Sequence, residues 1–270
     1  MKLGKRDILI GVLFLSACAI FFVLGLDFVR LSSDAAANEL YKGALSRGLA
    51  CIPLVAIVIL LKDGKIFYSH NRPLHKALLW CLPALAVVVV NFPFSALIFG
   101  SAKLTKFNLM PAFALECLAI GAMEELIFRG LFQPMFLDAF KDKKHGTLIA
   151  VAVNSALFGL WHLANLFSGA SIGPTLLQVC YSFLIGAMLS AVFIRVGNVI
   201  PCILLHAIFN FGGFIVPTLG SGLFQDVVFW VLTAVVGVLC AAHVLYYLLR
   251  RDKEKEKAEP KETEQVNTDE

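Results

Sequence analysis

Charged residues are scarce in this sequence. Only 16% of its 270 residues are charged and 59% are hydrophobic, whereas a soluble domain has about 25% charged and about 45–50% apolar residues. No basic stripe interleaved with aromatic residues is present, which argues against nucleic acid as a partner. The seven cysteines lie in apolar runs and form no CxxC pair, so we expect buried free thiols rather than a disulfide framework or a cysteine zinc site.

One common catalytic motif is also missing. The sequence contains no HExxH segment for a zinc-binding helix. Any zinc-dependent hydrolysis must therefore use another arrangement of ligands.

Long apolar runs are abundant. They are roughly 18–25 residues long, enough to cross a hydrocarbon core of about 30 Å as helices. We therefore predict an all-α, polytopic membrane protein of about eight transmembrane helices with an intramembrane active-site cavity. The predicted spans are 8–29, 44–61, 77–99, 110–136, 147–167, 174–195, 198–216 and 226–249.

The distribution of basic residues predicts the orientation. If the N-terminus is cytoplasmic, the outer segments carry only five of the 23 Lys and Arg residues, and the positive-inside rule then places both termini in the cytoplasm. These five are Arg30, Lys42, Arg47, Lys103 and Lys106. The predicted location is a cell membrane, with a bacterial one favoured because no organelle signal is evident.

The composition changes after residue 249. Residues 1–249 are predicted to form a single transmembrane domain. Residues 250–270 contain almost no apolar side chains and are predicted to be a disordered, charged cytoplasmic tail.

Several ionisable residues fall inside predicted spans, where each costs at least about 2.5–3.5 kcal/mol on insertion scales. The fourth span contains Glu116, Glu124, Glu125 and Arg129. Glu125 and Arg129 are four residues apart on one helix face, in the favoured order for an ion pair. Glu124 lies about 100° further round the helix, so we interpret it as the working carboxylate and expect Glu116 to line a polar seam.

Two other spans carry histidines. His162 is in the fifth, and His206 and Asn210 lie one turn apart in the seventh. Lipid satisfies none of these groups, so they must meet one another or water. Glu124, His162 and His206 could bind one zinc ion with a position left for water, or Glu124 and His162 could polarise water directly. Both routes lead to water attacking a carbonyl.

Three motifs in order resemble one family. EExxxR (Glu124, Glu125, Arg129), FxxxH (Phe158, His162) and HxxxN (His206, Asn210) resemble the CPBP family of intramembrane proteases. That family includes type II CAAX prenyl endopeptidases and bacterial Abi proteins linked to bacteriocin self-immunity. The resemblance covers about 110–216.

The resemblance implies endopeptidase activity in a cavity between helices. Glu124 and His162 would activate water, and His206 with Asn210 would form an oxyanion pocket. Glu125, Arg129 and Phe158 would support the site. Family members are often described as metalloproteases, and a metal-free glutamate mechanism is also argued, so both routes stay open.

The leading hypothesis is thus an intramembrane endopeptidase acting on a membrane-associated peptide or protein. A non-catalytic immunity or scaffold protein that binds a peptide or bacteriocin in the same cavity is the alternative. A transporter is a third hypothesis, although the Gly/Pro-interrupted helices expected of one are not evident.

Overall fold

The computed structural model describes residues 5–22, 26, 28–62, 65–67 and 79–258. The described residues form helices and connecting loops, in agreement with the all-α prediction, and one short pair of strands that was not predicted. In chain order its elements are α1 Lys5–Phe22, α2 Ala35–Lys62, α3 Leu82–Val90, α4 Phe94–Ile98, β1 Ala102–Leu104, α5 Met110–Glu125, α6 Gln133–Ala139, α7 Gly146–Trp161, α8 Ile172–Val196, α9 Ile200–Leu219, β2 Gly220–Gly222 and α10 Val227–Ala258. A π-helical segment, Leu126–Phe132, joins α5 to α6, and a 3₁₀ segment, His162–Ser168, follows α7.

Five described helices are long and apolar enough to cross a membrane. They span Ala35–Leu61, Gly146–Ser168, Ile172–Val196, Ile200–Leu219 and Val227–Lys257. The chain is therefore a polytopic helical membrane protein, while the predicted count of eight spans is not confirmed.

The third predicted span, 77–99, is not one continuous helix. Its described part forms α3 and α4, separated by Asn91, Phe92 and Pro93. Proline lacks an amide hydrogen and disfavours helical geometry at the residue before it, which explains the break. Residues 77 and 78 lie outside the described residues.

The fourth predicted span, despite its charges, is continuous from Met110 to Ala139, because the π-helical segment carries the chain from α5 into α6. A π-helical turn inserts an extra residue and is frequent at functional sites. Asn154 of α7 supports this segment by donating from Nδ2 to the Phe128 carbonyl at 3.1 Å and to Gln133 Oε1 at 2.9 Å.

The connections between helices gather at two ends of the bundle. At the first end, β1 pairs antiparallel with β2, and Ser95 donates to Asp226 over 2.8 Å. At the second end, the Val199 amide donates to the Ile66 carbonyl over 2.8 Å. Successive long segments therefore run in alternating directions.

The last helix extends past residue 249, where the disordered tail was predicted to begin. Helix α10 continues to Ala258, and Asp252 is buried there. The Asp252 carboxylate accepts hydrogen bonds from the amides of Thr147 and Leu148 at 3.0 and 3.1 Å, at the first turn of α7. It thus satisfies two amides that have no partner within that helix, and this contact explains why α10 stays ordered. Residues 259–270 lie outside the described residues.

Candidate active site

Glu125 and Arg129 form the predicted ion pair, and neither side chain is exposed. Arg129 Nη1 donates to Glu125 Oε1 at 2.8 Å, and Nη2 donates to the Gly186 carbonyl at 2.8 Å. The guanidinium carbon also lies 4.8 Å from the centre of the Phe158 ring. Arg129 therefore connects the π-helical segment to both α7 and α8.

His206 binds the same carboxylate. Its Nδ1 lies 2.8 Å from Glu125 Oε1, and its Nε2 lies 3.7 Å from Glu124 Oε2. The first contact is a short charge-assisted hydrogen bond, whereas the second is too long for a hydrogen bond. The predicted side chains on α5 and α9 therefore meet, and Glu125 has a second partner that helix spacing did not predict.

A glycine permits this approach of α5 to α9. A Cβ atom on Gly121 would lie 2.9 Å from the Ile203 carbonyl oxygen and 3.2 Å from the Ala207 nitrogen. Any larger residue would push the helices apart beside Glu124 and His206. Small residues at such crossings are a common device in membrane bundles.

His162 lies at the junction of α7 and the 3₁₀ segment. Its Nδ1 is 2.9 Å from the Phe158 carbonyl oxygen, so this nitrogen carries the hydrogen, because a carbonyl can only accept. Nε2 is then the lone-pair nitrogen when the ring is neutral. In the described part of the chain, His162 forms no ion pair with Glu124 or Glu125.

Phe158 lies between the two histidines. It is 1% exposed, and its ring centre lies 5.3 Å from that of His162 and 5.7 Å from that of His206, edge to face in both cases. This placement agrees with the supporting role predicted for Phe158.

Asn210 lies one turn after His206 on α9. Within the described residues its side-chain amide has no hydrogen-bond partner, although only 9% of the residue is exposed. Nearby, Asn91 Nδ2 donates to the carbonyl of Phe209 at 2.7 Å. Asn91 therefore connects the break after α3 to the turn that carries Asn210, a contact that no sequence motif announced.

A cavity of about 550 Å³ adjoins Asn210. It lies between α7, α8, α9 and α10 and is mostly apolar, with Asn91, Tyr181, Asn210, Gln225 and Thr233 among its polar lining residues. Among the predicted catalytic residues only Asn210 lines it. Glu124, His162 and His206 are not among its lining residues.

The donor set was predicted to suit zinc, and its geometry does not fit that role. Among the described residues, no three His, Cys, Asp or Glu side chains are grouped so that they could hold a metal ion. His206 Nδ1 and His162 Nδ1 are occupied by Glu125 and the Phe158 carbonyl. The two Nε2 atoms, the Glu124 carboxylate and Glu125 Oε2 remain without a short hydrogen bond among the described residues, and they are not grouped as a set of three ligands.

Glu116, the other acidic residue of α5, belongs to a separate pair. It lies 2.7 Å from Arg47 of α2, which agrees with the predicted polar seam.

The fold and the site define a class: a multi-pass helical membrane protein with a buried carboxylate–imidazole cluster. Residues 106–212 match the family described as type II CAAX prenyl endopeptidase Rce1-like. The match supports the predicted CPBP resemblance over these residues. No curated protein and no solved structure matches the chain. The family match indicates a membrane protease of the CAAX-protease kind.

Proposed function

We propose that this protein is an intramembrane endopeptidase that hydrolyses a peptide bond in a membrane-associated peptide or protein. The observation that carries the proposal is His206, which is hydrogen-bonded to Glu125 and lies 3.7 Å from Glu124. A membrane protein gains nothing structural from two adjacent buried carboxylates and an imidazole, since unpaired charge is costly there.

The proposed mechanism uses a His206 ring that carries a hydrogen on both nitrogens. Nδ1 donates to Glu125, and Nε2–H is available to a substrate oxygen.

The reaction then needs four groups. Glu124 takes a proton from a water molecule oriented by His162 Nε2, and the water oxygen attacks the peptide carbonyl carbon. His206 Nε2–H and the Asn210 amide donate to the oxyanion of the tetrahedral intermediate. The C–N bond breaks when Glu124 returns the proton to the leaving nitrogen, which yields a carboxylic acid and an amine.

The test is Glu124→Gln, which keeps the size of the side chain and removes the base. The purified protein is reconstituted into proteoliposomes with internally quenched peptides that carry a C-terminal cysteine, either lipidated or free. A general base contributes about 10²–10⁴-fold, so we expect a loss of kcat in that range. Comparison of the two peptide sets shows whether substrate lipidation matters.

Glu116→Gln is the matched control, because it changes another, partly buried glutamate of α5 whose partner, Arg47, is outside the site. Its kcat should stay within a few-fold of wild type. Wild-type kcat in a folded Glu124→Gln variant would contradict the proposal.

One observation favours the non-catalytic alternative. The cavity is mostly apolar, and three of the four predicted catalytic side chains are not in its lining. A protein that only binds a peptide or a bacteriocin there would keep its phenotype in the Glu124→Gln variant, for example resistance to a bacteriocin. Loss of that phenotype in a folded variant supports the protease.

The loop contacts support the proposed orientation. The second end of the bundle carries the basic residues Lys141, Lys143, Lys144 and Arg250, and the positive-inside rule places this end in the cytoplasm. The proposed location is a bacterial cytoplasmic membrane.

A further inference from the structure

Among the described residues, Tyr181 is the tyrosine that lines the cavity next to Asn210. It lies on α8 and shares a helix face with Ile185 and Met188, which line the same cavity. Its ring centre is 6.2 Å from that of Phe209, the residue that precedes Asn210. The break after α3, helix α8 and helix α9 thus each contribute a polar side chain to the lining of a mostly apolar cavity.

Depth along the bundle places Tyr181 level with Asn210. Both α8 and α9 have one terminus at the first end of the bundle, Ile172 and Leu219 respectively. Tyr181 follows Ile172, and Asn210 precedes Leu219, by the same number of residues, which corresponds to about 14 Å of helix rise. The phenol and the amide are therefore at similar depth on neighbouring helices.

The hydroxyl of Tyr181 lacks a protein partner. Within the described residues it makes no hydrogen bond, and the tyrosine is only partly exposed. A tyrosine hydroxyl in apolar surroundings usually has a hydrogen-bond partner, so this one is free to pair with a ligand in the cavity.

We propose that Tyr181 is a further catalytic residue, whose hydroxyl donates a hydrogen bond to the oxygen of the substrate carbonyl as the oxyanion develops, together with Asn210. This inference rests on the proposed endopeptidase function. The phenol keeps its proton throughout, so the water, proton and leaving-group steps are unchanged. The cavity then receives the part of the substrate next to the scissile bond, and its apolar lining selects apolar groups there.

The test is Tyr181→Phe, which removes a single oxygen atom and keeps the ring against Phe209. Kinetics are measured in proteoliposomes with an internally quenched peptide that wild type cleaves. Removal of one preorganised donor lowers kcat by up to about 10²–10³-fold, and for a neutral phenol we expect roughly 10–100-fold with KM within about three-fold.

Tyr247→Phe is the matched control, because the Tyr247 hydroxyl likewise has no hydrogen-bond partner among the described residues but lies outside this cavity. It should keep wild-type kcat. A Tyr181→Phe variant with kcat within two-fold of wild type would overturn the proposal. So would an equal loss in both variants, or a loss that follows a lowered Tm, because either result indicates a packing role.

Glu124→Gln in the same assay separates the two proposals. If Glu124→Gln is inactive and Tyr181→Phe is fully active, only the role of Tyr181 fails. If Glu124→Gln cleaves as wild type does, or wild type cleaves no peptide, the endopeptidase function itself fails.

Discussion

At the residue scale, the cluster is organised around one carboxylate oxygen. Glu125 Oε1 accepts from Arg129 and from His206, both at 2.8 Å. It thereby holds the imidazole with Nε2 directed toward Glu124. In the proposed mechanism Glu125 is therefore a positioning residue, and Glu124 is the carboxylate without a short hydrogen bond.

Helix spacing was enough to predict the Glu125–Arg129 pair, since residues four apart share a helix face. The contact between His206 and Glu125 could not be predicted in the same way, because the two residues are 81 positions apart in sequence and lie on different helices. Asn91 and Tyr181 were also missed. Asn91 is a polar residue shortly before a proline, and Tyr181 is a tyrosine in an apolar helix. Both features are common in residues without a catalytic role, and the sequence offered no further signal.

Metal content can be predicted at this scale. We expect much less than one zinc ion per chain in purified wild type, because the nitrogen and oxygen donors of the described residues are not grouped as three ligands. His162→Ala and His206→Ala should therefore leave the metal content unchanged. Elemental analysis of the detergent-solubilised proteins checks this. About one zinc per wild-type chain, lost in both variants, would show that the histidines are ligands and that the metal route operates.

At the element scale, two departures from a regular helix lie next to the site. The π-helical segment Leu126–Phe132 carries Arg129, and the break between α3 and α4 carries Asn91. Irregular backbone in a membrane is tolerated where protein groups satisfy it, and Asn154 does so by donating to the Phe128 carbonyl of the π-helical segment. Asn91 instead uses the break to reach α9, where it donates to the Phe209 carbonyl.

The start of α10 gives a prediction of pH dependence. Asp226 precedes this helix and accepts hydrogen bonds from the Phe229 amide and from Ser95, each at 2.8 Å. The Phe229 bond, and then the Ser95 bond, lower the pKa of Asp226 below its ordinary value of about 3.9. The stabilisation is therefore complete above about pH 4 and is lost as the pH falls through the lowered pKa.

Thermal unfolding of wild type and Asp226→Ala in detergent between pH 7 and pH 2.5 measures this effect. The Tm of the variant should be lower at neutral pH, and the difference should shrink in acid. Asp142→Ala, which changes an exposed aspartate of the α6–α7 loop, should show no such trend. A Tm difference for Asp226→Ala that is constant with pH would contradict the prediction.

At the scale of the whole molecule, eight crossings were predicted and five described helices meet the length and hydropathy of a membrane span. The other segments fall short for separate reasons. The third is interrupted at Pro93, the fourth contains buried charges, and the apolar part of α1, Leu9–Phe21, is short. The contacts between loops nevertheless place the helix ends at two opposite ends of the bundle, as expected when successive segments cross in alternating directions.

Site-directed labelling tests the orientation. A membrane-impermeant maleimide should label Ser221→Cys in intact cells, because Ser221 is exposed in β2 at the first end. Lys144→Cys, exposed at the second end, should react only after permeabilisation. The parent chain with its native cysteines supplies the background. The reverse pattern would contradict the assignment of both termini to the cytoplasm.

The sequence by itself determined the class of fold and the identity of the polar residues at the centre of the site. Apolar runs of spanning length require helices, because lipid cannot satisfy the backbone of any open structure. Charges inside those runs are too costly to occur without a partner. The sequence alone therefore singled out Glu124, Glu125, Arg129, His162, His206 and Asn210.

The tertiary structure alone decided how these residues are paired. Contacts such as His206 with Glu125, Asn91 with Phe209 and Asp252 with α7 depend on the packing of helices that are distant in sequence. The helical period predicts which face of a helix carries a given side chain. It does not predict which neighbouring helix packs against that face. The position of Tyr181 beside Asn210 is a consequence of that packing.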